Sequence, residues 1–224
     1  MPACHVVAVF VGDEGRGGNL LGVFLDGGQV PESERQRIAA ELGFSETVFV
    51  DDPGRGEVRI FTPAVELPFA GHPSLGTAWL LRRERAPIEV LRPPAGEVRV
   101  RYEEERTWIA ARPEWSPHFE YIELDSPADV EALREGSSGV GSAYCWAWQD
   151  ETGGTVRARS FVPDYGIGED EATGSAALTL SARLGRALTV HQGVGSLITT
   201  RLLHDGFVEV GGRTEPVEVR EVPV

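Results

Sequence analysis

Apolar and polar positions alternate in short runs along most of the chain, interrupted at three places by longer stretches with helical spacing. Residues 6–11 and 20–25 read as strands on either side of a Gly-rich turn at 12–18. Residues 31–43 read as an amphipathic helix, with Pro31 near its start, Ile38, Ala39 and Leu42 on one face, and Gly43 as a stop. Strand character returns at 46–50 and 57–62. A mostly apolar helix follows at 72–83, containing Leu75, Ala78, Trp79 and Leu80, and short strands are predicted at 88–91, 97–102 and 108–111. Beyond an irregular, proline-containing segment at 112–117, the pattern predicts a short helix at 127–134 and strands at 142–148 and 155–161. A second apolar helix at 173–184 opens at Gly174 and Ser175 and is closed by Gly185. The last strands are expected at 187–190, 196–203, 207–210 and 217–219.

The order of elements repeats. Phe61-Thr62-Pro63 leads through a loop into a Gly-led apolar helix, and Phe161-Val162-Pro163 does the same about a hundred residues later. The pattern therefore predicts an α+β protein of two similar domains, 1–112 and 113–224, each with one buried helix against a curved sheet. Matching helix starts would then face a shared cleft, a common place for a small-molecule site.

Composition narrows the function. The 224 residues carry a net charge of −14, which disfavours a nucleic-acid partner but leaves a small anionic metabolite open. All 21 basic residues are Arg; without Lys, an internal Schiff base to pyridoxal phosphate is excluded. Cys4 and Cys145 sit in apolar, strand-like surroundings, and neither a CxxC nor an HExxH pattern occurs, so no metal and no disulfide are expected. No apolar run approaches the roughly 20 residues of a membrane span, and the first residues do not read as a secretion signal. The expectation is a cytoplasmic protein.

Four segments could carry chemistry. In Gly71-His72-Pro73, His72 falls at the mouth of a helix, where the partial positive charge disfavours its protonation; the alternative is a histidine that only caps the helix. In 168–175, Glu169, Asp170 and Glu171 precede Thr173-Gly174-Ser175, a helix start rich in N–H and hydroxyl donors that suits an anion. The three carboxylates could complement the helix dipole, or one could act on a substrate. Glu46 opens an apolar strand, where desolvation would raise its pKa and suit it to acid–base work, unless it lies in water at a turn. Asn19, after the Gly-rich stretch, could present its amide to a ligand or only form a turn.

Together these segments resemble the phenazine-biosynthesis PhzF family of the diaminopimelate epimerase-like superfamily. The matching residues, in order, are Gly18-Asn19 with Gly22-Val23, Ser45-Glu46-Thr47, Phe61-Thr62-Pro63 with Glu66, Gly71-His72-Pro73, Phe161 with Pro163, Gly168-Glu169-Asp170 with Thr173-Gly174-Ser175, and Gln192-Gly193. The resemblance implies two similar domains, each a curved, mostly antiparallel sheet wrapped around a central helix, an active site between them, and a homodimer. It implies a cofactor-independent isomerase acting on a small carboxylate-bearing metabolite. Glu46 would be the acid/base, with His72 and Asp170 beside it and Asn19, Gly71, Gly174 and Ser175 at the substrate. Two departures stand out: Leu20 follows Asn19 where the family usually has Pro, and the chain is shorter than most relatives, apparently between residues 91 and 161. The absence of cysteine at both helix mouths disfavours thiol-based racemisation. An epimerase using Glu46 and Asp170 as opposing bases, and a binding protein without turnover, are the rival readings.

Overall fold

A computed structural model describes residues 1–134 and 141–223. The order of elements is β1 (Ala3–Val11), β2 (Asn19–Phe24), α1 (Glu32–Leu42), β3 (Glu46–Asp52), β4 (Glu57–Phe61), β5 (Glu66–Leu67), α2 (Gly71–Glu84), β6 (Val90–Leu91), β7 (Val98–Glu103) and β8 (Arg106–Ala111). There follow β9 (Glu120–Glu123), α3 (Pro127–Ala132), β10 (Ala143–Asp150), β11 (Thr155–Val162), β12 (Ile167–Asp170), α4 (Gly174–Leu184), β13 (Thr189–Gln192), β14 (Ser196–Leu202) and β15 (Val208–Glu221). All the strands belong to one hydrogen-bonded sheet, and its pairings are antiparallel except for β2 with β3, β9 with β10 and β11 with β13. The α+β class expected from the pattern and the mostly antiparallel sheet implied by the resemblance are present.

The repeat extends from sequence into connectivity. In the first half, parallel β2 and β3 are joined through α1, β4 and β5 follow antiparallel, and α2 leads to β6, just after which Arg92 forms an isolated parallel bridge with Glu57 of β4. In the second half, parallel β9 and β10 are joined through α3, β11 and β12 follow antiparallel, and α4 leads to β13, which pairs in parallel with β11.

Helix α2 is apolar nearly all round because it is enclosed: 71–78, Leu80 and Leu81 are all buried. It rests on β1 and β2 where Gly76 lies against Val9 and Leu21; a Cβ there would come within 2.6 Å of the valine and 2.7 Å of the leucine. Helix α4 buries Ala176, Ala177, Leu178 and Leu180 in the same continuous core. Helix α1 covers the outer face of the sheet through Ile38 and Ala39, with left-handed Gly43 ending it as expected.

Two expected strands, 207–210 and 217–219, are one. β15 runs 14 residues. Its beginning lies between β14 and β8, and from Arg213 onward it pairs with β1, reaching Ala3 opposite Glu221. The Gly211-Gly212 pair and Pro216 suggest a break in the sequence. Both glycines instead make room for aromatic rings, Trp108 over Gly211 and Phe10 over Gly212, and Pro216 sits at a register shift, where a missing N–H is tolerated. Both cysteines are buried and free, Cys4 on β1 and Cys145 on β10.

Candidate active site

The N-termini of α2 and α4 meet. A Cβ on Gly71 would lie 2.6 Å from the backbone nitrogen of Ser175 and 2.7 Å from the carbonyl carbon of Gly174, and a Cβ on Gly174 would lie 3.2 Å from the backbone nitrogen of His72. Only glycines permit this approach, and it brings two sets of unpaired helix N–H groups to one place. Phe10 supports the contact from below. It is buried at φ +67°, an unusual conformation for a non-glycine residue, in an irregularity of β1, with its ring against Gly174.

Glu46 is the first residue of β3, paired in register with Leu21 of β2, and is buried. Its Oε2 lies 3.2 Å from Nδ1 of His72, the second residue of α2. Neither Oε2 of Glu46 nor Nε2 of His72 has a hydrogen-bond partner among the described residues. Burial pushes the Glu46 carboxyl well above its usual range, and the nearby charge of Asp170 adds to the effect. Burial lowers His72 to about 3, a larger influence than the backbone hydrogen bond at Leu20 that opposes it, so the imidazole is neutral at pH 7. The neutral form was expected from the helix dipole; desolvation is its main cause.

Asp170 ends β12 and is also buried. Burial raises its pKa, and hydrogen bonds from Thr173 and Asn19 draw it only part of the way back. Thr173 Oγ1 donates to Oδ2 at 2.7 Å, and Asn19 Nδ2 donates to Oδ1 at 2.6 Å. The two carboxylates in this buried site have different environments: burial raises both, but Asp170 has hydrogen-bond donors that favour its charged form, and Glu46 has none among the described residues.

The carboxylates of 169–171 divide their work. Glu169 forms a two-point ion pair with Arg159. Glu171 accepts from the Val194 N–H and the Ser196 hydroxyl. Asp170 alone faces Glu46. Asn19 donates its second amide hydrogen to the Ala172 carbonyl and accepts from the Ser45 hydroxyl, so its polar groups engage the protein and orient Asp170. Gln192, which the sequence marked only as part of a motif, is buried with its whole amide used: it accepts from the Thr173 N–H and the Tyr144 hydroxyl, and donates to the Asp170 carbonyl and Thr173 Oγ1.

Glu46, Asp170, Thr173 and Ser175 open on a narrow cleft of about 20 Å³ that is lined also by Leu67, Phe119, Val162, Tyr165 and Ile167. Nothing in the sequence marked Phe119 or Tyr165 as site residues, since neither belongs to a motif. A wider groove elsewhere, lined by Arg157, His191 and the turn at 193–195, lacks the carboxylate pair. Among the described residues no group of three or more His, Cys, Asp or Glu could hold a metal ion, and no helix is long and apolar enough to cross a membrane.

The depressed His72 pKa has a measurable sign. Between its usual value of 6.5 and about 3 the unfolded chain binds a proton that the folded chain refuses, so His72 costs stability increasingly as pH falls through that window. His72→Asn is expected to flatten the acid-side decline of the melting temperature; an unchanged slope in thermal scans from pH 7 to pH 4 would refute it.

Comparison with known proteins bears on the family and the fold. The family model described as phenazine biosynthesis-like protein, PhzC-PhzF, matches residues 7–139, more than half of the chain. The chain belongs to this family. Among relatives of the PhzF family, the trans-2,3-dihydro-3-hydroxyanthranilate isomerase of Pseudomonas chlororaphis is 32% identical, with 75% of each chain covered. An uncharacterized isomerase of Deinococcus radiodurans is 32% identical over 80% of this chain and 74% of its own. A PhzC/PhzF protein from Clostridium difficile superimposes along both whole chains with a TM-score of 0.78 at 19% identity, and a predicted epimerase from Pseudomonas aeruginosa with 0.75 at 24%. The fold is that of PhzF proteins, and the chain is an isomerase of the PhzF-like class.

Proposed function

We propose that the protein shifts a proton between two carbons of a small, carboxylate-bearing metabolite, with Glu46 as the general acid and base and no cofactor. The observation that carries this reading is the buried Glu46 carboxyl, its pKa pushed well up by burial, 3.2 Å from a neutral His72 and facing the same cleft as Asp170. Glu46 gives its proton to one carbon of an electron-rich ring or enamine. Its carboxylate then takes a proton from another carbon, so the acid is regenerated and only the position of unsaturation changes. His72 and Asp170 hold amino or hydroxyl groups, and the donors at the start of α4, with Ser175, hold the carboxylate. The name of the Pseudomonas relatives makes trans-2,3-dihydro-3-hydroxyanthranilate the first compound to offer.

The test is incubation of that compound, and of a panel of small amino and aromatic acids, in deuterium oxide. One deuteron at a new sp³ carbon of an isomerised product is the expected result. Deuterium confined to the α-carbon of recovered acid would instead favour the epimerase, which the joint presence of Glu46 and Asp170 in the cleft also permits. A compound that binds tightly and exchanges nothing would overturn both.

A further inference from the structure

A closed ring of contacts ties the back of Asp170 to a turn far from it in sequence. Asn19 Nδ2 donates to Asp170 Oδ1 at 2.6 Å. The residue before Asn19, Gly18, donates its backbone N–H to Ser196 Oγ at 2.8 Å, and Ser196 Oγ donates to Glu171 Oε1 at 2.9 Å. Glu171 is covalently next to Asp170, which completes the circuit. The same Glu171 oxygen accepts from the Val194 N–H at 2.8 Å. Gly193, at φ +58°, leaves the space that this carboxylate occupies, and a side chain there would collide with it.

We propose that Ser196 and Glu171 are positioning residues that act on Asp170 through Asn19. Ser196 lies at the start of β14, buried, and Gly18 immediately precedes the first residue of β2. Their hydrogen bond spans 178 positions of sequence and joins the two halves of the molecule. Without the hydroxyl, the Gly18 N–H has no acceptor in the ring, and the backbone that aims the Asn19 amide is free to turn. Glu171 anchors the serine from the other side and fixes which way its proton points. A dipole complement to α4 would not explain this arrangement, since the Glu171 carboxylate binds the 194–196 turn and the helix gains nothing from that. The proposal rests on Asp170 belonging to the site described above, but its test needs no substrate.

The measurement is the titration midpoint of the Asp170 carboxyl, followed by carbon-13 NMR of aspartate-labelled full-length protein, with thermal melts alongside. Titratable groups facing Asp170 are Glu46 on β3, Tyr144 on β10 and Glu169 on its own strand, and all stay in place in the variants. A hydrogen bond to a charged group is worth about 1.5–3 kcal/mol and one pKa unit about 1.4 kcal/mol, so loss of the Asn19 donor is expected to raise the midpoint by about one unit or more. Asn19→Ala should show that rise, Ser196→Ala a rise in the same direction, and the double variant no more than Asn19→Ala alone. Glu171→Gln keeps an oxygen that accepts both hydrogen bonds and should titrate like the unaltered protein, whereas Glu171→Ala should behave like Ser196→Ala and supplies the comparison if that variant does not fold. An Asp170 midpoint unmoved in folded Ser196→Ala, or in folded Glu171→Ala, overturns the proposal. So does a further full unit in the double variant. A failure here would leave the proposed isomerisation standing, because that reading is tested by isotope exchange.

Discussion

Glu46→Gln should lower turnover of the true substrate by about 10²–10⁴-fold, the range that a positioned acid or base contributes, with little change in KM. The amide has the same shape and keeps the contact with His72, so binding is conserved while the transferable proton is lost. The same variant should be more stable than the unaltered protein at neutral pH. The folded carboxyl has a pKa well above the usual 4.5, so between these values the folded state binds a proton that the unfolded state has released. Stability contributed below 4.5 is therefore lost as pH rises toward the folded value. Gln does not titrate, and the difference in melting temperature should widen from pH 4 to pH 8. Turnover within twofold of the original, or a difference in melting temperature that does not vary with pH, would exclude the assignment.

The second large effect is geometric. Gly71→Ala adds one carbon, yet that carbon would sit 2.6 Å from the Ser175 nitrogen and 2.7 Å from the Gly174 carbonyl carbon. Both are backbone atoms of a buried helix start and cannot swing aside as a flexible side chain would. Overpacking of this kind costs about 1–3 kcal/mol, and relief would come from parting the two helix mouths. Because displacements near 1 Å can cost about a hundredfold in rate, activity is expected to fall by at least that factor even in protein that remains folded. Gly76→Ala, which presses on Val9 and Leu21 side chains instead, should lose stability with a much smaller loss of rate per kcal/mol. Equal ratios for the two variants would show that the helix contact has no special bearing on the chemistry.

Much of this was legible in the sequence, for reasons that differ from part to part. Helices α2 and α4 are apolar segments opened by glycine, and such a pattern has few other solutions than a helix enclosed by the rest of the fold. Glu46 heads an apolar strand and His72 and Asp170 each adjoin a helix start, but each segment alone also allowed a merely structural role, and the resemblance to the PhzF family is what singled these residues out. Strands β5, β9 and β12 were not legible. Glu66 and Leu67 are too short to show alternation, Glu120–Glu123 is polar at both ends, and Ile167–Asp170 has a single large apolar residue. The buried network of Gln192 and the Ser196 ring were hidden because they join residues distant in sequence. The hydrophobic period reports which face is inward and carries no record of which polar groups find each other there.

The last strand also sets a condition on how the molecule is made. β1 contains Val7 and Val9 and can pair with β2 almost as soon as both leave the ribosome. Its other edge has no neighbour until β15 has been synthesised, some two hundred residues later. Through most of translation this apolar strand therefore presents an open row of N–H and C=O groups, the kind of template on which chains aggregate. Nascent protein arrested before β15 should accordingly recruit holdase chaperones and let go of them once that strand is released.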